Sequence, residues 1–512
     1  MNVLATIACL AASALAGVRW LRVAQREHYL AGSCSRFALR WWWGLGFNRI
    51  LAVGVVVNLL LAVASPVFAA VGAVAIAAGP FGLRLRGTAP GPLRWTQRLR
   101  TLAVAWAAIE LAIFAVGTLA GRAHVAAYLV AVLTPAFVDA ALAVTEPLQR
   151  RRAQPWIDKA KARLRSVNPT VVAITGSYGK TTTKGYVRHL VEGSREVVAT
   201  PASFNNELGL ARAVNEALTP GAEVFVAEMG TYGPGEIAAM CEWVTPAVAA
   251  ITAIGPVHLE RMGTEDAIAE AKAEILTQAE TAVLNVDDAR LATLADRVEA
   301  GGKAVVRCSA TAGVDGAGSA DVVVRYEHDD LVVTRDGTEL ARFPAGGEAP
   351  TNVAIAVAIA HALGVPDDAV AKRLPTLPAA PNRRTITQGS AGATFIDDTY
   401  NANPAGARAA LTTLQRLGRD ADRIVLVTPG MVELGPRQHE ENKAFAALAS
   451  EVATDVVIIG ATNRAALQEG AHEGRARVVL VDDRPQATAW VRENTSAGDV
   501  VLFENDLPDH FP

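Results

Sequence analysis

The chain is poor in cysteine. It has four in 512 residues, Cys9, Cys34, Cys241 and Cys308, with no C-x-x-C pair. That scatter excludes a disulfide framework and a structural zinc site, and it fits a reducing, cytosol-facing compartment. A basic excess is also lacking. Lys and Arg number 48 against 51 Asp and Glu, so the net charge is −3 and no global footprint for nucleic acid exists. No internal repeat or low-complexity run is present. The length exceeds what one core supports and implies about three domains.

Long apolar runs, by contrast, are abundant, and they are confined to the first 145 or so residues. They occur at about 3–18, 50–64, 67–83, 101–120 and 124–144. Most approach the roughly 20 residues needed to cross a bilayer. No basic n-region precedes the first run, and four more follow it, so it reads as a retained span and not as a signal peptide. The second and third are short and joined at Ser65-Pro66; they read as two tilted spans or as a re-entrant hairpin. Arginines crowd the loops after the first run (Arg19 to Arg49), after the third (Arg84 to Arg100) and after the fifth (Arg150 to Arg163). Positive loops stay in the cytoplasm. Five spans then leave the N-terminus outside and everything after Pro147 inside, which predicts a multi-pass cell-membrane protein with cytoplasmic catalytic domains. Three polar residues fall within the spans, Asn58, Glu110 and Asp139. Glu110 suits either inter-helix pairing or a substrate role, and Asp139 lies near a solvated end. Trp41-Trp42-Trp43 reads as an interfacial anchor.

The most informative segment is Ile174-Thr175-Gly176-Ser177-Tyr178-Gly179-Lys180-Thr181-Thr182-Thr183. It follows an apolar strand, Val171 to Ile174, and precedes a helix beginning near Lys184. Backbone N–H groups in such a turn, together with the helix dipole, make an anion site. Gly176 and Gly179 allow phosphate oxygens close to the backbone. Lys180 can reach the β- and γ-phosphates of ATP, and the Thr181 hydroxyl can hold Mg²⁺. Only Ser177 and Tyr178 separate the two glycines, a shorter form than the common P-loop.

Pro147 to Pro169 reads as a basic helical linker that can lie against anionic headgroups. Thereafter the pattern is α/β. Strands are expected at Val171–Thr175, Val224–Glu228, Val248–Thr252 and Ala282–Val286, with helices between them, which implies a mostly parallel sheet. Residues 303–343 suggest a small antiparallel add-on around Val322–Tyr326 and Leu331–Arg335, and Thr351 to Leu363 an Ala-rich helix. A second, Rossmann-like α/β unit is expected from about 385, with strands at Thr394–Asp397, Ile424–Thr428, Val456–Gly460, Val478–Val481 and Val500–Phe503. The hinge falls where prolines cluster, near Leu377 to Asn382. The domains expected are therefore 1–146 (membrane), 147–170 (linker), 171–377 (nucleotide-binding) and 378–512 (C-terminal).

Glu228 ends an apolar strand, where a carboxylate overlooks the ligand crevice of an open α/β sheet and can bind the Mg²⁺ of a nucleotide. Taken alone, His258 reads as a structural histidine and Lys272 as an ordinary helix-surface residue. In their order, however, these pieces resemble the Mur ligase family, most nearly its D-alanyl-D-alanine-adding branch. The resemblance runs from Val171 to about Gly435 and rests on the P-loop, Ser203-Phe204-Asn205-Asn206-Glu207, Ala227-Glu228-Met229-Gly230, His258-Leu259-Glu260, Ala271-Lys272-Ala273-Glu274, Leu284-Asn285-Val286-Asp287-Asp288, Asp397-Asp398-Thr399-Tyr400-Asn401-Ala402-Asn403-Pro404 and Gly430-Met431-Val432-Glu433-Leu434-Gly435.

The resemblance implies an ATP-dependent carboxylate–amine ligase of cell-wall synthesis, acting through an acyl phosphate. It implies that Gly176, Ser177, Tyr178, Gly179, Lys180, Thr181 and Thr182 grip the nucleotide, that Asn285 faces adenine, and that Arg383 and Asp398 reach ATP from the C-terminal domain. Lys180, His258 and Lys272 would be catalytic. Thr181, Glu228, His258 and a carbamylated Lys272 would serve one or two Mg²⁺ ions, and Asn205 and Asn206 would touch the carboxylate substrate. Three departures stand out. Membrane spans occupy the place of the UDP-binding N-terminal domain. The hinge glycine-arginine appears as Asn382-Arg383-Arg384, and Glu348 stands near a missing family histidine. The terminal Glu504-Asn505-Asp506-Leu507-Pro508-Asp509 is acidic where relatives carry a Lys-Gly-Ser-Arg-like string that selects the amine. The expected substrates are an amine and a muropeptide precursor, held at the membrane lipid and lipid-linked. The rivals are a standard D-alanyl-D-alanine-adding ligase with a simple anchor and a P-loop membrane ATPase.

Overall fold

The computed structural model describes residues 1–44, 46–83, 93–311, 320–378, 385–389, 392–400, 403–507 and 511. The chain divides into two compact units, Met1–Ala153 with Leu507–Pro512, and Gln154–Asp506.

The first unit is helical: α1 (Asn2–Arg26), α2 (Ser33–Gly44), α3 (Gly46–Leu61), α4 (Pro66–Ala78), α5 (Gln97–Leu119) and α6 (Ala123–Val167). Ser65 and Thr96 cap α4 and α5 through their hydroxyls, and Pro66 starts α4 where its missing N–H costs nothing. Three helices, α1, α5 and α6, are long and apolar enough to cross a membrane, or up to four if the bent pair α2 and α3 is one span. At 13 residues, α4 is about 20 Å long at 1.5 Å per residue, short of a bilayer core of about 30 Å. The second and third apolar runs are short helices packed on one another, and of the five expected spans three are long enough by themselves, or four with α2 and α3 taken together. The linker expected at 147–170 is not a separate element. α6 continues through Pro147 and Pro155 to Val167, and the boundary between the units falls inside it.

Glu110 is an inter-helix tie. It accepts from Ser13 Oγ on α1 at 2.8 Å and from Thr134 Oγ1 on α6 at 3.1 Å. Asp139 accepts from the backbone N–H groups of Cys34 and Ser35 at the start of α2, so it caps that helix and is buried. Trp41 is also buried, its Nε1 donating to Phe81 O at 3.0 Å, and of the three tryptophans only Trp43 is exposed, at about half its surface.

In the second unit, β1 (Thr170–Thr175), α7 (Lys180–Val191), β2 (Val197–Ala199), α8 (Glu207–Ala217), β3 (Val224–Glu228), α9 (Glu236–Val244), β4 (Val248–Ile251), α10 (Leu259–Met262), α11 (Glu265–Ala273), β5 (Thr281–Asn285), α12 (Ala289–Ala300) and β6 (Ala304–Ser309) alternate. β7 (Val322–Glu327), β8 (Asp330–Arg335) and β9 (Thr338–Pro344) then complete one sheet of order β2-β3-β1-β4-β5-β6-β7-β8-β9. It is parallel from β2 through β7 and antiparallel thereafter. The expected add-on is therefore continuous with the main sheet, because β6 pairs with β7. The middle of the helix α13 (Pro350–Ala362) is apolar on every side, and Val353 to Ala360 are buried against β5, β6 and β7.

After α14 (Asp367–Arg373), a second sheet forms from β10 (Thr385–Gln388), β11 (Thr394–Asp398), β12 (Ile424–Thr428), β13 (Asp455–Ile459), β14 (Arg477–Val481) and β15 (Val500–Glu504), in the order β10-β11-β15-β12-β13-β14. Only β10 is antiparallel. Helices α15 (Pro404–Leu417), α16 (Gln438–Val452), α17 (Arg464–Ala471) and α18 (Arg484–Asn494) provide the crossovers. The strands β2, β6, β9 and β10 have no counterpart in the expected set.

Candidate active site

The carboxyl ends of β1, β3 and β4 lie side by side, and each delivers part of the site. After β1 the chain turns at Gly176 and Gly179 into α7. Gly179 has φ +86°, and a Cβ there would stand 2.5 Å from Asn352 Oδ1; a Cβ on Gly176 would stand 1.9 Å from Thr252 Oγ1. Only glycine fits either place. Ser177 is pinned against Gly255 (Oγ to Gly255 O, 3.2 Å) and Tyr178 OH donates to Ile254 O at 3.2 Å. Lys180 Nζ donates to Gly176 O at 2.8 Å, folded over the mouth of the turn. Thr181 and Thr182 follow in the first turn of α7, whose N-terminus faces the same space.

Beside the turn is a cavity of about 650 Å³. Tyr178, Gly179, Thr182, Asn285 and Asn352 line it from the first sheet's side, and Asp398, Tyr400, Asn403 and Glu504 from the second's. Asn285 is held by Nδ2 donation to Thr252 O and by acceptance from Asp287 N, both at 3.2 Å. Asp398 and Glu504 are register partners at the ends of β11 and β15. Arg383, together with Asn401, Ala402 and Asp509, lies outside the described residues.

Glu228, at the end of β3, is 1% exposed. Its Oε2 is 2.9 Å from Lys184 Nζ, and its Oε1 accepts from Asn205 Nδ2 at 3.2 Å. Lys184 also donates to Ala202 O at 2.5 Å, tying the loop after β2 to the carboxylate. Asn206 caps α8 by accepting from Gly209 N at 2.8 Å, so its side chain serves the helix. Lys272 is 1% exposed, which overturns the reading of a helix-surface lysine. Burial, with the nearby charge of Lys180, pushes its amine well below the usual lysine range. His258 has φ +69°, and its Nδ1 lies 2.7 Å from Glu433 Oε2. Burial lowers its imidazole from the ordinary range, opposed by Glu433 and reinforced by Lys272 and Lys180. The structure thus brings Lys180, His258 and Lys272 into one electrostatic neighbourhood.

Among the described residues, no three His, Cys, Asp or Glu side chains gather into a cage. A hydroxyl, one carboxylate and one imidazole are a partial set. Mg²⁺ is characteristically bound this way, with phosphate oxygens and water completing its octahedron, so the donors fit that ion. Sequence reasoning missed Lys184, Asn352 and Glu433. Lys184 follows Lys180 by one helical turn, a usable signal; the contact of Asn352 with Gly179 spans more than 170 residues and leaves none.

Two family models match, the Mur ligase middle domain over residues 174–360 and the Mur ligase glutamate ligase domain over 382–504. The UDP-N-acetylmuramoyl-tripeptide–D-alanyl-D-alanine ligase of Mycobacterium leprae is 33% identical over 370 residues, 65% of this chain and 70% of the relative. The enzyme of the same name from Bacillus subtilis is 29% identical, covering 67% and 75%. Among solved structures, a MurF ligase from Thermotoga maritima in complex with ADP aligns with a TM-score of 0.58 at 26% identity, over 69% of this chain and 80% of that one. MurF from Acinetobacter baumannii gives 0.58 at 27%, over 68% and 76%. With the glycine turn, the strand-end carboxylate and two spaced domains all in order, the chain belongs to the Mur ligase family of ATP-dependent, ADP-forming amide ligases.

Proposed function

We propose that this chain is a membrane-embedded Mur ligase that extends a cell-wall precursor at the cytoplasmic leaflet, and that its carboxylate substrate is lipid-linked. One observation carries the second part. The family matches begin at residue 174, and the residues before it form apolar helices, three of them long enough to span a bilayer. A count of three spans, like the five expected from sequence, puts the N-terminus and the catalytic unit on opposite sides of the membrane, whereas a count of four, with α2 and α3 as one span, puts them on the same side.

In this reading the turn at Gly176–Thr182 holds the phosphates of ATP and Asn285 the adenine. The substrate carboxylate attacks the γ-phosphorus, ADP leaves, and an acyl phosphate forms. The amine then attacks the acyl carbon, phosphate leaves, and the amine gives up a proton. Thr181, Glu228 and His258 would hold Mg²⁺, which when bound would supply charge neutralisation at the phosphoryl oxygens. Lys180 adds a fixed positive charge where negative charge develops. Burial lowers the proton affinity of Lys272 and so favours the free amine that carbamylation by CO₂ needs, and the carbamate would be a carboxylate beside Lys180. Asn205, held on Glu228, presents the loop after β2 to the carboxylate substrate. Arg383 and Asp398 are assigned to ATP from the C-terminal side.

A comparison of radiolabelled precursors with detergent-solubilised protein tests the reading. Turnover of an undecaprenyl-linked muropeptide well above the UDP-linked form is expected. Efficient use of the UDP-linked form alone overturns the lipid assignment and favours the activity named for the mycobacterial relative, UDP-muramoyl-tripeptide plus D-alanyl-D-alanine, with the apolar helices as an anchor.

A further inference from the structure

His258 is reached from the second sheet. The segment after β12 crosses to α10 and places Glu433 Oε2 2.7 Å from His258 Nδ1 and Glu433 Oε1 3.3 Å from an Arg261 nitrogen. Arg261 also lies over the Tyr232 ring at 4.7 Å, and that ring meets the His258 imidazole edge-on at 5.2 Å. Both bonded partners are non-glycine residues in the left-handed region, His258 at φ +69° and Glu433 at φ +65°. Each such conformation is strained for a residue with a Cβ and persists only where the surroundings over-determine it. The seam is close elsewhere too. A Cβ on Gly435 would stand 3.2 Å from Glu260 N, and Arg437 pairs with Glu265 at 2.8 Å.

We infer that Glu433 is a positioning residue: it holds Nδ1 of His258 so that Nε2 is set for Mg²⁺, and it does so from the opposite side of the cleft. A carboxylate on the distal nitrogen fixes the tautomer and orientation of a metal-ligating histidine and raises its basicity. Arg261 is the second donor to that carboxylate, which is thereby shared between two partners. The metal site is then complete only while the second sheet's turn is seated on α10, which ties phosphoryl chemistry to a closed cleft.

The inference rests on His258 as a Mg²⁺ ligand, and the test separates the two. Mn²⁺ affinity is measured by electron paramagnetic resonance on the full-length protein saturated with ADP, for the wild type, Glu433→Ala, Glu433→Gln, His258→Gln and Glu433→Ala/His258→Gln. Metal-free ADP affinity is measured in parallel. Glu433→Ala is expected to weaken Mn²⁺ about 10–100-fold, to leave metal-free ADP binding unchanged, and to add nothing to His258→Gln. Glu433→Gln, which keeps an acceptor for Nδ1–H and the side chain's size, should lose less. If His258→Gln weakens Mn²⁺ and neither Glu433 variant does, the positioning role is wrong while the metal site stands. If no variant changes Mn²⁺ affinity, His258 is not a ligand and both ideas fall. A merely structural role would lower metal-free ADP affinity together with Mn²⁺ affinity and would add to His258→Gln, which also overturns the inference.

Discussion

Lys184 Nζ lies 2.9 Å from Glu228 Oε2, and both side chains are buried. The lysine is one helical turn beyond Lys180, so a single face of α7 serves the nucleotide turn and the strand-end carboxylate together. Removing one partner of a buried pair leaves an uncompensated charge, at a cost of about 3–5 kcal/mol. Lys184→Met should therefore lower the thermal midpoint of the full chain markedly, and the double variant Lys184→Met/Glu228→Leu should recover much of the loss. Calorimetric scans of the three proteins check this; an unchanged midpoint for Lys184→Met contradicts it.

Gly179→Ala should impair nucleotide binding more than folding. Its φ of +86° and the Asn352 oxygen 2.5 Å from a new Cβ both oppose alanine. The left-handed strain is about 1–3 kcal/mol, and relief requires the turn to move away from the phosphates. Equilibrium binding of ADP is expected to weaken at least tenfold, while the circular dichroism spectrum stays that of the wild type.

Lys272→Met should stabilise the protein and stop turnover. The amine's proton affinity is depressed by burial first and by Lys180 second. The unfolded chain then binds more protons than the folded one wherever the pH lies between the depressed value and the ordinary 10.5. Stability rises with pH across that window, and the destabilisation is greatest at its acid end. The methionine variant, with no such proton to release, should show a higher midpoint at neutral pH and a flatter pH profile. Wild-type activity should fall when CO₂ is stripped and return with bicarbonate, and a small carboxylate should partly rescue Lys272→Ala. Full activity of Lys272→Ala removes the role.

Lys180→Ala should cost about 10²–10³-fold or more in kcat with little change in stability. Its ammonium is only partly buried and bonds to carbonyls of its own turn. Steady-state ADP release, measured alongside thermal unfolding, separates the two effects.

Much of the second unit was legible because its strands are continuous apolar runs such as Val224-Phe225-Val226-Ala227, buried on both faces. The nucleotide turn was legible because its glycines and lysine act within ten residues of chain. Strands such as β2 and β10 were not legible, since three or four residues carry too little periodicity, and β6 mixes exposed and buried positions. The membrane count shrank because hydropathy alone does not show where a helix stops: α4 ends at Ala78, before Gly79-Pro80. Lys272 looked like a surface residue because its near neighbours, Glu270 on α11 and Glu274 just past its end, are polar, and only the packing of that helix buries it. Glu433 was visible as part of a motif, but its partner lies 175 residues away.

The most direct test of the account is product mass spectrometry on the purified, detergent-solubilised protein. It would be supplied with ATP, Mg²⁺, lipid-linked or UDP-linked muropeptide, and a panel of amines that includes D-alanyl-D-alanine. The account predicts one new amide per ADP released, dependent on the amine and strongest with the lipid-linked form. ADP release that proceeds undiminished without amine, with no amide in any product, would contradict it.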